Sequence, residues 1–336
     1  METSLGKNVL VSGASGFIGA NLVRELLKRK FRVRVIIKPG DSASNIKDLI
    51  TSKKVETVVA DLRSKKSLKN VAEGIDVIFH LAAKTDLSTK NYKPYYENNF
   101  LATKNLVEVC KKVKCFIHYS SILTVGLPNT KEPLDEDYQG SADTYYGRSK
   151  KKTEDYLLNK HRRDHFPVII LRPSTVYGPY ETLVQYQLFK VIKENKFFMI
   201  GSGNNLISYL FVGNLVDITI NAINQKEALG KIFFINDARA YKYSDVVRTI
   251  YKVMNKNMPS FKMPFVIAII GAYFYSKLCQ LIKIKPLIYP SRVKTMVLNY
   301  VYSISKAKKI LKYRPKDNLY DGVQITYNWY KERGML

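Results

Sequence analysis

At 336 residues with 46% hydrophobic content, the chain has the length and apolar fraction for a large buried core, which excludes a disordered protein. Its three cysteines, Cys110, Cys115 and Cys279, are odd in number and form no Cys-x-x-Cys pair, so neither a disulfide framework nor a metal site is expected. The formal net charge is +27, yet basic residues run along the whole chain without a zinc-finger, basic-zipper or RNA-recognition pattern; a lysine-biased composition accounts for the charge, and nucleic acid is not an expected partner.

The first apolar run, Val9-Leu10-Val11-Ser12, is too short for a secretory leader, which makes the expected location cytoplasmic. It leads into Gly13-Ala14-Ser15-Gly16-Phe17-Ile18-Gly19, and apolar residues at Ile18, Leu22, Val23, Leu26 and Leu27 then mark one face of a helix. Strand, glycine turn and helix form the setting of a phosphate-binding loop. Gly13 permits a tight turn, Gly16 lets backbone approach a pyrophosphate, and Gly19 lets helix and strand pack closely. The helix start presents unpaired N–H groups and a positive dipole end to the phosphates.

A second strand, Phe31–Ile37, ends at Lys38-Pro39-Gly40. At that tip an acid bonds the ribose 2′-hydroxyl of NAD, whereas a base accommodates the 2′-phosphate of NADP. Lys38 stands there, Arg34 lies further back, and no acid precedes Asp41, so the balance between NAD(H) and NADP(H) tips to NADP(H). A third strand, Val55–Ala60, closes on Asp61-Leu62-Arg63; a fourth, Asp76–Leu81, ends in Ala82-Ala83. A helix follows over Asn98–Lys112, then a strand Cys115–Tyr119 running into Ser120-Ser121, a helix carrying Tyr145 to Lys150, and a strand Pro167–Arg172 before Pro173. Near-continuous apolar strands alternating with amphipathic helices predict an α/β fold, a doubly wound parallel sheet with its ligand at the strands' carboxyl ends.

Beyond residue 180 the pattern loosens into helices over Leu183–Glu194, Tyr243–Met254 and Leu319–Glu332 and strands near Tyr209–Val212 and Lys231–Ile235. The expected division is a dinucleotide-binding Rossmann domain over 1–180 and a smaller mixed α/β substrate lobe over 181–336, some of whose strands and helices return to the core. Met263 to Ile282 stands apart: about thirteen uninterrupted apolar residues precede Lys277, short of the ~20 a spanning helix needs. Two readings stay open for 264–282: a buried or substrate-covering helix, or an interfacial helix making peripheral membrane contact, with Lys277, Lys283 and Lys285 reaching headgroups.

Tyr146 and Lys150 are four apart on one helix face. A phenol of ordinary pKa ~10 is a poor base at neutral pH. A lysine cation ~5 Å away at an effective dielectric of ~20 stabilises phenolate by roughly 3 kcal/mol, about two pKa units. Ser121, at a strand end, is placed to hold the same substrate oxygen.

In their order and spacing, GASGFIG (13–19), DLR (61–63), HLAA (80–83), ENNFLATKNLVE (97–108), YSSI (119–122), YYGRSKKKTE (145–154), LRPSTVYGP (171–179) and SKAKKILKYRP (305–315) resemble an extended short-chain dehydrogenase/reductase, the NAD-dependent epimerase/dehydratase superfamily. The resemblance implies Tyr146 as catalytic acid/base, Lys150 as its tuner and a ribose ligand, and Ser121 as substrate orienter. It also implies Gly13, Ser15, Gly16, Phe17, Ile18 and Gly19 around the pyrophosphate, Asp61 and Leu62 by the adenine, Ala82 by the ribose, and Pro173 near the nicotinamide. Asn99 matches the family asparagine, with a structural helix-start role the equal alternative. A homodimer through the helices Asn98–Lys112 and Tyr146–Lys160 is common in such proteins.

Sugar-nucleotide members resemble one another in an arginine–aspartate pair before a strand ending Val-Asp-Asp. Here Ile207 and Ser208 take the place of that pair, and Gly213-Asn214 replace the two acids. Without the arginine a diphosphate loses a strong bidentate contact, although Arg239 or Arg292 remains within the same lobe. Phe-Val-Gly-Asn-Leu and the apolar 263–282 segment are instead similar to the 3β-hydroxysteroid dehydrogenase and dihydroflavonol reductase branch. The expected function is an NAD(P)-dependent oxidoreductase interconverting hydroxyl and ketone on an apolar small molecule. The alternative is a nucleotide-sugar epimerase/dehydratase.

Overall fold

A computed structural model describes residues 6–87, 89, 91–110, 112–282, 284 and 289–336. Alternation within the apolar runs builds a sheet covered on both sides. In β1 (Asn8–Ser12), Val9 and Val11 enter one hydrophobic core while Leu10 enters another on the opposite face. The same split separates Ile117 from Phe116 in β5 (Cys115–Tyr119) and Ile169 from Ile170 in β6 (Val168–Pro173). Side chains of consecutive strand residues point to opposite faces, so a run apolar at every position needs a layer on each side.

β2 (Arg32–Ile37), β3 (Glu56–Val59), β4 (Val77–His80) and β7 (Lys231–Ile235) complete a seven-stranded parallel sheet in the order β7-β6-β5-β4-β1-β2-β3. The chain reverses its direction of strand addition between β1 and β4, which opens a crevice at their carboxyl ends. The expected doubly wound fold is present. Two of its strands, Cys115–Tyr119 and Lys231–Ile235, keep the expected bounds; β2, β3 and β4 lose a residue at one or both ends, β1 gains Asn8, and the strand expected over Pro167–Arg172 shifts by one to Val168–Pro173.

Elements cross the expected division at residue 180 in both directions. β7, from the second half, forms one edge of the main sheet, and the helix Val212–Ala222 joins the first helix, Phe17–Lys28, over one face. Thr130–Leu134, from the first half, enters a four-stranded sheet with Tyr300–Tyr302, Leu206–Ile207 and Tyr241–Lys242. The sequence reading missed Thr130–Leu134 and Tyr300–Tyr302: they are short, and their partners are far away in the chain.

The helix expected to start at Asn98 starts earlier. Helical backbone begins at Lys93, passes through a π-helical stretch at Tyr96–Leu101 and continues as Ala102–Val109. Asn99 therefore lies inside the helix and not at its start. Among the described residues no helix is long and apolar enough to cross a membrane. The helix Phe265–Leu281 buries Ala268, Ala272, Ser276 and Cys279; Lys283 and Lys285, expected to reach headgroups, lie outside the described residues.

Candidate active site

The glycine loop leaves β1 with Gly13 in the left-handed region at φ +73°, and the Gly16 N–H donates to the Gly13 carbonyl at 3.1 Å. A Cβ on Gly13 would fall 2.6 Å from the Ala82 nitrogen, and one on Gly19 would fall 2.1 Å from the Gly13 oxygen. Packing thus dictates both of these glycines. At Gly16 a Cβ would meet only the Gly13 oxygen, at a tight 3.3 Å, so packing excludes a side-chain carbon there far less than at Gly13 or Gly19. Gly16 caps the helix Phe17–Lys28 without a side-chain acceptor, and the first turn holds no acid. Bare backbone at Gly16 beside uncapped amides fits the pyrophosphate of a dinucleotide.

Around this mouth, the Ser15 hydroxyl donates to Asp41 at 2.6 Å, and Asn45 donates to the Ser15 carbonyl at 2.8 Å. Phe17 and Ile18 are partly buried against the main core. Lys38 is exposed just beyond β2. Arg34 is turned away from the mouth: it pairs with Glu56 at 2.9 Å and donates to the Val71 and Glu73 carbonyls. Asp61 chelates Arg63, with a closest contact of 2.6 Å; that guanidinium, aided by the Lys38 charge, holds its carboxyl down at about 2. The Leu62 carbonyl accepts from Asn105 at 3.0 Å, and Pro173 ends β6 in register with Ile235.

Ser121 follows β5 and caps a short turn, its hydroxyl accepting from the Leu123 N–H at 3.1 Å. The helix Tyr145–Asp164 is capped by Thr144, whose hydroxyl accepts from the Gly147 N–H at 2.9 Å. A Cβ on Gly147 would lie 2.2 Å from the Leu123 oxygen, so this glycine lets the helix start rest on the Ser121 turn. Tyr146 is thereby brought beside Ser121, which pulls its phenol pKa down.

Lys150, one turn on, is only 2% exposed. Burial pushes its ammonium down to about 7 against an opposing pull from Glu154, and burial pushes the Tyr146 phenol up to about 12 against an opposing pull from Ser121. The spacing predicts a phenol lowered by about two pKa units; burial instead holds it above its ordinary value of 10.

Two buried networks support these residues, and sequence reasoning missed both. Glu154 is fully buried and receives both Nε and Nη2 of Arg172, at 2.8 and 2.7 Å, with the Ser120 hydroxyl at 2.6 Å. A charged residue inside the apolar strand Val168–Pro173, and an acid four residues beyond Lys150, were the available signals. On the other side, His80 bonds Ser12 at 2.7 Å and Thr103 at 2.8 Å, and burial pushes its imidazole down to about 3. Asn99 ties the two halves: its side chain exchanges hydrogen bonds with the Lys84 backbone and donates to Ser149 at 2.8 Å. A π-helical insertion carries it, a feature that recurs at functional sites.

The structure thus places Ser121, Tyr146 and Lys150 at the carboxyl ends of the same parallel sheet as the glycine loop. The positions of the sugar-nucleotide arginine–aspartate pair are structural in this chain. Ile207 is buried in the four-stranded sheet, and the Ser208 hydroxyl accepts from the Tyr302 N–H at 3.0 Å. Asn214 bridges the Asp237 carboxylate and the Lys316 and Asp317 backbone N–H groups. Arg239 lies over the Tyr241 ring.

The model of the 3-beta hydroxysteroid dehydrogenase/isomerase family matches residues 10–265. The chain belongs to this family. Within the extended short-chain dehydrogenase/reductase superfamily, its relatives divide by chemistry. A mouse (Mus musculus) sterol-4-alpha-carboxylate 3-dehydrogenase, decarboxylating, is 29% identical over 97% of this chain and 91% of its own length. An Escherichia coli O157:H7 N-acetyl-alpha-D-glucosaminyl-diphospho-ditrans,octacis-undecaprenol 4-epimerase is 26% identical over 90% of this chain and 89% of its own. Among solved structures, a Bacillus cereus UDP-glucuronic acid 4-epimerase in complex with NAD is 25% identical, with TM-score 0.78 over 97% of this chain and 99% of its own. Like its relatives this family member is an enzyme of nicotinamide-dinucleotide chemistry, and the glycine loop described above is built for such a cofactor.

Proposed function

We propose that this enzyme interconverts a hydroxyl and a ketone on an apolar, steroid-, terpenoid- or flavonoid-like molecule. The observation that carries the reading is the Tyr146 phenol beside Ser121, one helical turn from a buried Lys150. Tyr146 exchanges the proton of the substrate hydroxyl, and Ser121 orients the oxygen that bears it. Lys150, in its charged form, favours phenolate and so assists proton removal. The bound dinucleotide supplies the hydride exchange. Residues 1–180 hold it through Gly13, Ser15, Gly16, Phe17, Ile18, Gly19, Asp61, Leu62, Ala82 and Pro173, and the lobe 181–336 covers the substrate.

An apolar substrate is favoured because Ile207 and Ser208 are spent on the lobe's own packing. Nucleotide-sugar epimerisation is the second reading, supported by the Escherichia coli relative. Product analysis separates them. Net loss of reduced nicotinamide with a sterol or flavonoid ketone supports the first; isomerisation of a UDP-sugar without net change supports the second. Under either, Tyr146→Phe abolishes turnover with dinucleotide affinity nearly intact, and normal turnover in that variant removes Tyr146 from the mechanism.

NADP(H) is the cofactor we favour. Asp41 is already engaged by the Ser15 hydroxyl and the Ala43 N–H, while the Lys38 ammonium is exposed at the loop mouth. Lys38→Asp is expected to move the NADP/NAD affinity ratio toward NAD, and an unchanged ratio overturns the role of Lys38. A homodimer through the helices Asn98–Lys112 and Tyr146–Lys160 belongs to the same reading.

A further inference from the structure

A buried chain of hydrogen bonds runs from the glycine loop to the backbone of Tyr146. It starts at Ser12, the last residue of β1, which directly precedes Gly13. The Ser12 hydroxyl lies 2.7 Å from His80 Nδ1, and His80 Nε2 lies 2.8 Å from the Thr103 hydroxyl. Thr103 donates to the Asn99 carbonyl at 2.5 Å. The Asn99 amide donates to the Ser149 hydroxyl at 2.8 Å, and Ser149 donates to the Tyr146 carbonyl at 2.7 Å. Every side chain in this series is buried.

Each hydroxyl has one proton to give, and this fixes the direction of every bond. Thr103 commits its proton to the Asn99 carbonyl, so it can only accept from His80, whose Nε2 must carry hydrogen. Nδ1 is then bare and accepts from the Ser12 hydroxyl. Burial pushes the imidazole down to about 3, in keeping with a neutral ring. Burial alone does not produce such an arrangement. His118, the register partner of His80 on β5, is as buried and its ring centre is 5.5 Å away, yet among the described residues neither of its nitrogens has a partner. Removing one bond of the chain strands the groups on either side of it in a site without water. The bonds join β1, β4, the helical stretch bearing Asn99 and Thr103, and the helix Tyr145–Asp164. The glycine loop leaves the first of these, and Tyr146 stands on the last.

We propose that His80 is a positioning residue of the reaction: as the neutral Nε2–H tautomer it ties the dinucleotide loop, through Thr103, Asn99 and Ser149, to the backbone of Tyr146, and so fixes the phenol relative to the nicotinamide. Resting on the reading of Tyr146 as the acid/base, this role is one of placement: His80 is fully buried and acts only through its bonded neighbours.

Long-range nitrogen–proton NMR of the labelled full chain reads the tautomer directly. One imidazole, identified by its loss in His80→Gln, is expected to remain neutral and Nε2-protonated at about pH 5, where an ordinary histidine is charged. His80→Leu and Ser149→Ala each cut the chain once. Each should lower kcat about 10- to 100-fold, the scale of a small misplacement, in turnover of the ketone or UDP-sugar that product analysis selects. The Kd for NADPH, read by its fluorescence, should stay nearly unchanged. The double variant should be no slower than the slower single one, because a chain already cut has nothing more to lose. Ser149→Ala leaves the Asn99 amide on the Lys84 carbonyl at 3.2 Å, which keeps the test open where His80→Leu misfolds. Four outcomes overturn the role: an Nδ1-protonated or charged His80 at that pH, wild-type kcat in either single variant, losses that multiply in the double variant, or a loss confined to NADPH affinity. Normal turnover in Tyr146→Phe marks the other failure, that of the acid/base reading, and takes this role with it whatever the tautomer.

Discussion

Lys150 shows most directly what burial does to a reactive group. Its ordinary value of 10.5 falls to about 7 because the ammonium loses water and gains only the partial compensation of Glu154. Between those two values the unfolded chain holds a proton that the folded chain has released, so this group's contribution to stability rises with pH across the window. The urea midpoint of the wild type is therefore expected to climb from pH 7 to about 8.5 more steeply than that of Lys150→Met. Equal slopes would mean that the lysine is more hydrated than its 2% exposure indicates. Proton transfer at Tyr146 follows from the same balance: with burial holding the phenol up at about 12, positive charge gathered beside it has more to accomplish than the spacing of Tyr146 and Lys150 alone suggested.

At the level of elements, the glycine loop separates fold from ligand. Gly19 is required by the fold, since its added Cβ would sit 2.1 Å from backbone, while Gly16 is not. Gly19→Ala should therefore cost about 2–4 kcal/mol of stability, within the range of severe overpacking. Gly16→Ala should keep its melting temperature near that of the wild type but lose the rise that saturating dinucleotide produces, which for ligand at 100 times Kd corresponds to about 2.7 kcal/mol. Calorimetry with and without dinucleotide reads both effects. A dinucleotide-stabilised Gly16→Ala protein would show that the pyrophosphate does not pack on this residue. The Ser121 turn and the helix behind it are joined in the same way, through Gly147, whose missing side chain is filled by the Leu123 carbonyl.

For the whole molecule, the crossing of elements at residue 180 matters most. β7 pairs along its full length with β6, and the helix Val212–Ala222 covers the sheet beside the first helix. A chain ending at residue 180 would expose the hydrogen-bonding edge of β6, whose residues are all buried, and would bare one hydrophobic face. Such a fragment is expected to aggregate or to give the broad, non-cooperative melt of a partly packed chain. A soluble, cooperatively melting fragment that binds dinucleotide would show that the first half is self-sufficient.

Local chemistry was enough for much of this protein. Apolar runs that leave no polar face can only be central strands of a covered parallel sheet, and glycines at 13, 16 and 19 before an amphipathic segment can be read without any partner in view. Tyr146 and Lys150 share a helix face by spacing alone. What the tertiary structure decided depends on contacts between residues distant in sequence. The pairing of Thr130–Leu134 with Tyr300–Tyr302, the Glu154–Arg172 pair and the seat of Asn99 at Lys84 and Ser149 all arise that way. Burial is the decisive case: the spacing of Tyr146 and Lys150 fixes which charges are neighbours, but only the packed chain determines how much water remains to solvate them. The same reason governs Phe265–Leu281, where composition marks an apolar helix and packing alone selects its small residues for the inside.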